Sequence, residues 1–277
     1  MKLLYGKPTA EKILGDVKKK IAESGVTPGL AVILVGDDRA SHIYVSLKEK
    51  KAKENGFYFE KHVFLADVKT SEITGLIEEL NDKPNIHGIL VQLPLPTHTD
   101  TEAVIAAIAP VKDADGFHKE TIRKFLDADV ESAPVFPQAI IEIIKESGVS
   151  LSNKKVAIVV NSALFGGVLQ KALENIGLAV RIIQLAELSQ NISALKEADI
   201  IVTACGKPKL ITGGMVKGNC LVVDGGTCEL HGKTVGDVDV QSMENTDVVL
   251  TSVPGGVGPL TVACLLRRAA RLAGVAV

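Results

Sequence analysis

Residues 35–48 (VGDDRASHIYVSLK) carry a phenol and an amine four positions apart, Tyr44 and Lys48. A helix sets that spacing on one face. The segment leaves an apolar run, turns at Gly36 and enters a helical pattern, so the pair falls near the C-terminal end of a strand, where open α/β sheets place ligands. A half-buried tyrosine beside a solvated lysine satisfies the same spacing. In residues 88–96 (GILVQLPLP) the prolines remove backbone donors and end a strand. Gln92 is left at its end, able to hydrogen-bond a ligand or a neighbouring lysine, or simply to cap. Residues 112–117 (KDADGF) form an acidic loop with an Asp-Gly turn, a common feature by itself. Residues 251–261 (TSVPGGVGPLT) hold glycines that let a ligand approach the main chain. They precede a helix start whose amides suit anions or polar ring edges, although a plain loop has the same composition.

The elements that must position these groups are short β-branched runs alternating with amphipathic stretches, the pattern of βαβ units around a mostly parallel sheet. In the first half, strands are expected at 30–35, 58–65 and 88–92, with helices near 39–54, 71–81 and 100–108. Residues 109–118 (APVKDADGFH) interrupt the alternation and read as a functional loop or domain junction. After a helix around 138–147, strands are expected at 156–160, 180–184, 200–204, 221–224 and 248–251. A last helical pattern covers 259–272. The expected fold class is α/β, with two α/β domains flanking a cleft, the second a Rossmann-like nucleotide-binding domain.

Composition narrows the classes of partner. With 46% hydrophobic and 23% charged residues the chain is globular in type. A formal net charge of -2 gives no electrostatic reason to expect nucleic acid or an anionic membrane surface. No apolar run approaches the roughly 20 residues that span a bilayer, and residues 1–10 lack a signal-peptide core, so a cytoplasmic location is expected. Cys205, Cys220, Cys228 and Cys264 form no Cys-x-x-Cys pair, and no metal site is expected.

Taken in order, the four segments resemble the bifunctional methylenetetrahydrofolate dehydrogenase/methenyltetrahydrofolate cyclohydrolase family. Further family-like stretches lie at 198–208 (ADIIVTACGKP) and 236–239 (GDVD), so the resemblance covers nearly the whole chain. It implies oxidation of 5,10-methylenetetrahydrofolate with NADP or NAD, then hydrolysis of the methenyl product to 10-formyltetrahydrofolate. By the same resemblance Lys48 is central to hydrolysis, Tyr44 stacks on the folate, Gln92 tunes the lysine and Asp115 holds the pterin. Pro254, Gly255 and Gly256 line the substrate side. The nucleotide falls to Val160, Asn161, Ser162, Gly166, Glu187, Cys205, Gly206 and Thr227. Residues 1–131 with 255–277 are expected to form the folate domain, and 132–254 the nucleotide domain, of a homodimer whose partner molecule is a small folate. Water must add to an amidinium-like carbon and a C–N bond must break, so a group that moves protons near neutral pH is useful. Burial beside a cationic substrate would bring a lysine into that range.

The sequence departs from the family mainly on the nucleotide side. A Gly-Arg-Ser turn is matched by Val160, Asn161 and Ser162, and a Val-Gly-Lys-Pro helix start by Phe165, Gly166, Gly167 and Val168. The family arginine suits the 2′-phosphate of NADP, and Asn161 lacks its charge. A His-Ser pair after the next strand becomes Gln184 and Leu185, with Glu187 two positions on. An acid there bonds ribose hydroxyls and repels a 2′-phosphate, so NAD preference is expected. Glu187 also suits the start of a surface helix. The family's Pro-Cys-Thr-Pro-x-Gly run is matched by residues 134–139 (PVFPQA), with Phe136 for Thr and Ala139 for Gly. Arg268 and Ala269 stand where Asn-Thr is usual, and the sequence suggests no role for them. Three rivals follow: a cyclohydrolase without useful dehydrogenase activity, a non-catalytic folate- or nucleotide-binding regulator, and an unrelated Rossmann-type dehydrogenase. The absence of Gly-x-Gly-x-x-Gly after 156–160 counts against the last.

Overall fold

The computed structural model describes residues 1–127, 129, 132–230 and 232–277. In chain order the elements are β1 (Lys2–Leu4), α1 (Lys7–Ser24), β2 (Gly29–Val35), α2 (Arg39–Glu54), β3 (Tyr58–Phe64), α3 (Thr70–Asp82), β4 (Gly88–Val91), α4 (Thr101–Ala107), α5 (Lys119–Leu126), α6 (Val135–Glu146), β5 (Lys155–Val160), α7 (Ala163–Glu174), β6 (Ala179–Gln184), α8 (Ile192–Glu197), β7 (Ile200–Ala204), β8 (Leu221–Asp224), β9 (Cys228–Leu230), β10 (Lys233–Val235), α9 (Val240–Met243), β11 (Val249–Thr251) and α10 (Val257–Leu272). The α/β class expected from the alternation is the class found.

The chain forms two compact units. One comprises Glu11–Val135 and Val262–Val277, the other Met1–Ala10 and Phe136–Thr261. This division differs from the sequence-based boundaries, which kept residues 1–10 with the folate domain and ended that domain at residue 131, itself outside the described residues. The reason is pairing. β1 lies parallel to β11, Leu4 opposite Thr251, so the first strand joins the nucleotide-side sheet. A three-residue strand has too little period for its alternation to be read in advance.

In the first unit the sheet order is β3-β2-β4, all parallel. Every residue of central β2 is buried, which is why GLAVILV is an unbroken apolar run, whereas edge strand β3 alternates between covered and open positions. Ile33, Val35, Ile89 and Val91 pack with Ile73, Ile77 and Leu80 of α3 and Val104 of α4. Apolar residues at 73, 77 and 80 recur at helical spacing and turn one stripe of α3 to the sheet. Helix α2 starts where the Asp38 carboxylate accepts from the Ser41 amide at 2.8 Å, an N-cap that fixes the register of Tyr44 and Lys48.

The second unit holds a six-stranded sheet in the order β6-β5-β7-β8-β11-β1, all parallel. Its core draws Val159, Ile201, Val222 and Leu250 from the strands and Leu195 and Met243 from α8 and α9. From β5 onward this is the doubly wound order 2-1-3-4-5, in which the strand order reverses beside the first strand and leaves a crevice at the carboxyl ends of β5 and β7. The antiparallel β9–β10 hairpin was not anticipated, since its three-residue strands are mostly exposed and carry little apolar pattern. Helix α1 also went unread, because lysines and glutamates dilute its apolar stripe of Ala10, Leu14, Val17 and Ile21.

Candidate active site and nucleotide site

In the first unit α2 carries Tyr44 and Lys48 on one face, both half-buried. Strand β4 ends at Val91, and the backbone amide of Gln92 still donates to the Ile33 carbonyl at 2.8 Å, so β2 fixes where that side chain begins. The Lys48 ammonium donates to Gln92 Oε1 at 2.8 Å, and Gln92 Nε2 donates to the Leu93 carbonyl at 2.8 Å. The second bond orients the amide, so its oxygen faces the lysine. An amide oxygen accepts from the amine but brings no negative charge, and it stabilises the ammonium less than a carboxylate would.

Asp115 belongs to the loop between α4 and α5. Asp113 builds the turn: Oδ1 accepts from the amides of Gly116 at 2.9 Å and Phe117 at 3.3 Å, and Oδ2 from that of His118 at 2.9 Å. Gly116 has φ 84°, and a side chain there would bring a Cβ within 2.7 Å of Pro134 Cα. The Asp-Gly turn of the sequence is therefore a forced close approach of two segments. Lys112 is taken up elsewhere, donating to the carbonyls of Leu80 at 3.2 Å and Lys83 at 2.8 Å at the end of α3.

Lys48 and Asp115 each keep some solvent-accessible surface, yet protein surrounds the charged tips. Desolvation pushes the Lys48 ammonium below the ordinary lysine range, opposed by the charge of Asp115. The Asp115 carboxyl moves up for the same reason, opposed by Lys48 and Arg268. The site thus holds an amine that gives up its proton more readily than a surface lysine, kept in place by a neutral acceptor. The sequence singled out these residues, whereas Arg268, a buried guanidinium whose charge acts on Asp115, was named there only as a departure without a role.

In the second unit most of the residues assigned by resemblance to the nucleotide lie at or just beyond the carboxyl ends of β5, β6, β7 and β8. Val160 ends β5, Asn161 follows, and Ser162 caps α7 by accepting from the Phe165 amide at 3.4 Å. Asn161 Nδ2 donates to the Cys205 carbonyl at 2.8 Å, tying the loop after β5 to the loop after β7 across the switch point. Gly206 has φ 64°, and its Cα faces the Thr227 carbonyl, which a Cβ would approach to 3.5 Å. Asp237 was not singled out in the sequence, although its GDVD stretch was. Its carboxylate accepts from Thr203 Oγ1 and the Cys205 amide, both at 2.7 Å, and from the Lys207 amide at 2.6 Å, fixing the loop that carries Cys205 and Gly206. Glu187 lies exposed in the first turn of a 3-10 helix (Leu185–Gln190) just after β6. Pro254, Gly255 and Gly256 also belong to this unit, ahead of α10, with Gly255 beside Tyr5.

Two of the departures from the family meet in space. Phe136 and Phe165 pack ring against ring, centroids 5.2 Å apart and tilted 49°, an arrangement favoured by aromatic quadrupoles. Gly225 leaves room for Phe136, since a Cβ there would sit 2.6 Å from the ring. Gly166 permits α7 to approach the sheet: a Cβ would lie 2.9 Å from Val160 Cγ2 and 3.1 Å from Ile182 Cγ2. Gly166→Ala gains up to about 1 kcal/mol in helix propensity but overpacks stiff β-branched neighbours at about 1–3 kcal/mol. A net loss of about 1 kcal/mol is expected in urea unfolding; a higher midpoint than the parent would show that α7 retreats freely.

A doubly wound sheet with a capped helix and a tied switch-point crevice defines a dinucleotide-binding α/β protein, here joined to a second α/β unit bearing a desolvated lysine. Residues 4–115 match the family model "Tetrahydrofolate dehydrogenase/cyclohydrolase, catalytic domain", and residues 134–276 match "Tetrahydrofolate dehydrogenase/cyclohydrolase, NAD(P)-binding domain". The chain belongs to the tetrahydrofolate dehydrogenase/cyclohydrolase family, as the sequence resemblance implied. It is 40% identical to the bifunctional protein FolD of Nautilia profundicola over 99% of this chain and 97% of that one. A FolD crystal structure from Campylobacter jejuni superposes with a TM-score of 0.90 at 35% identity, covering 99% of both chains. The Trypanosoma brucei enzyme, solved with NADP and an inhibitor, gives 0.91 at 29% identity, covering 98% of this chain and 97% of that one. The chain is thus an enzyme of one-carbon metabolism with methylenetetrahydrofolate dehydrogenase and methenyltetrahydrofolate cyclohydrolase activity. Among the described residues no helix is long and apolar enough to cross a membrane, and no group of three or more potential metal ligands clusters.

Proposed function

We propose that Lys48 relays protons in hydrolysis of the methenyl substrate, with Gln92 holding its amine, Tyr44 stacking on the folate and Asp115 accepting from the pterin. The Lys48–Gln92 bond at 2.8 Å, made by a desolvated amine to a neutral acceptor, is the observation that carries this reading. Water adds to the one-carbon centre, and the proton it loses passes to the neutral amine. The resulting ammonium returns a proton to the departing ring nitrogen as the C–N bond breaks. A cationic substrate lowers the lysine pKa further, since like charges disfavour the ammonium.

For the oxidation, the nicotinamide supplies a hydride acceptor when bound. The residues present fit a dinucleotide: Val160, Asn161 and Ser162 at the first βα turn, Gly166 behind it, and Cys205, Gly206 and Thr227 across the switch point. Glu187, exposed after the second strand of the nucleotide domain, is assigned to the ribose hydroxyls, and with Asn161 it supports preference for NAD over NADP. The assignment of Pro254, Gly255 and Gly256 to the folate rests on sequence resemblance alone. So does the homodimer that completes this reading.

Reduction of NAD and of NADP with 5,10-methylenetetrahydrofolate, measured beside hydrolysis of the methenyl form, tests the reading. Faster reduction of NAD with retained hydrolysis is expected. Preference for NADP would refute the cofactor assignment, and hydrolysis with neither nucleotide reduced would establish a cyclohydrolase only.

A further inference from the structure

We infer that Arg268 is a positioning residue for the folate-side carboxylate, clamping the loop of Asp113 and Asp115 to residues 133–135 so that Asp115 is presented as an anion; the inference rests on the folate role of Asp115 proposed above. Arg268 stands on α10 and is only 6% exposed. Its Nε donates to the Asp113 carbonyl at 3.0 Å and its Nη1 to the Ala133 carbonyl at 3.2 Å. One rigid guanidinium thereby joins two stretches of chain. Between them, the Val135 amide donates to the Asp115 carbonyl at 3.1 Å, and Gly116 packs directly on Pro134. The Asp113 carboxylate is occupied by three turn amides, so Asp113 offers its main chain to the arginine and its side chain to the turn. Asp115 sits inside this frame with its backbone held on both sides.

The charges agree with the geometry. Asp115 faces Lys48 of α2 and Arg268 of α10, which favour its anion, and Asp113 of its own loop, which opposes it. Arg268 in turn faces Asp113, Asp115 and Asp129, with Arg271 on its own helix opposing. Burial drives the Asp115 carboxyl up, and Arg268 is one of two cations that counter this. Removing it leaves Lys48 alone, and the anion is then lost at a higher pH.

The test uses the full chain with Arg268→Met, Arg268→Lys and Asp115→Asn, reading KM for methylenetetrahydrofolate, KM for the nucleotide, and the acid limb of kcat/KM. Arg268→Met is expected to raise the folate KM about tenfold and to move the acid limb up by about one pH unit, with the nucleotide KM within about twofold of the parent. Arg268→Lys keeps the charge and the limb, but its point charge cannot reproduce the fork, so its folate KM rises. In the Asp115→Asn background Arg268→Met should add little further, a coupling that a merely structural role would not produce. A folded Arg268→Met with parental folate KM and acid limb would overturn the inference. If that variant does not fold, a parental folate KM in Arg268→Lys overturns it. An Asp115→Asn protein with parental folate KM would overturn the folate role of Asp115 and the inference together, whereas a raised KM there with parental Arg268 variants sinks only the inference.

Discussion

Lys48→Met is expected to slow hydrolysis of the methenyl substrate by about 10²- to 10⁴-fold, the range over which a positioned proton-transfer group accelerates reactions. Reduction of the nucleotide should persist, because hydride transfer asks the protein for placement rather than a proton. The companion variant Gln92→Glu sets a carboxylate where the amide oxygen now lies 2.8 Å from the amine. An anion there favours the ammonium and raises the lysine pKa, against the desolvation that lowers it in the parent. The neutral amine is the species present above its pKa, so hydrolysis that depends on it grows as pH rises through that value. In Gln92→Glu this rise should move to higher pH by about one unit or more. Stopped-flow decay of the methenyl chromophore across pH reads both effects. Hydrolysis at the parental rate in Lys48→Met would remove the lysine from the mechanism, and an unshifted profile in Gln92→Glu would show that the amine does not titrate in the working range.

The second large effect concerns the nucleotide. Asn161→Arg is expected to raise the ratio of kcat/KM for NADP over NAD by about 10- to 100-fold, the equivalent of a charge-assisted hydrogen bond of about 1.5–3 kcal/mol. The substitution also removes the bond from Asn161 Nδ2 to the Cys205 carbonyl. Some loss with both nucleotides should therefore accompany the change in ratio. Asn161→Ala separates the two: it breaks the tie without adding charge, and it should lower both efficiencies while leaving their ratio near that of the parent. A ratio unmoved by the arginine would mean that the crevice turns the 2′-position away from residue 161.

Much of this site was legible because its signals are local. Tyr44 and Lys48 share a face through helical spacing, and Gln92 is fixed by a strand that proline must end, so their types and positions follow from short stretches of chain. The parallel sheets were legible for a similar reason, as central strands buried on both faces read as unbroken apolar runs. Contacts that join distant segments were not. Phe136 and Phe165 each stood out as a departure, yet nothing in either stretch says that the rings touch. Arg268 stood out only as a departure with no role to be read, and only the fold places its guanidinium against carbonyls from residues 113 and 133. Asp237 was hidden likewise, because its three partners come from another strand and the loop after it.

The pairing of β1 with β11 bears on how the chain is made. On a ribosome, residues 2–4 emerge well before the strand they lie against, 249–251. The other unit is divided in the same way, since Val262–Val277 complete a body begun at Glu11. Vectorial synthesis therefore leaves both bodies short of a piece until residues 249–277 are out. Nascent β2, β4 and β5, largely buried in the finished protein, must wait with part of their cover missing, and segments in that state are prone to aggregate. A circular permutant opened ahead of residue 249, with residue 277 linked to residue 1, would bring the two paired strands out in one stretch of synthesis, with α10 between them, and shorten that wait.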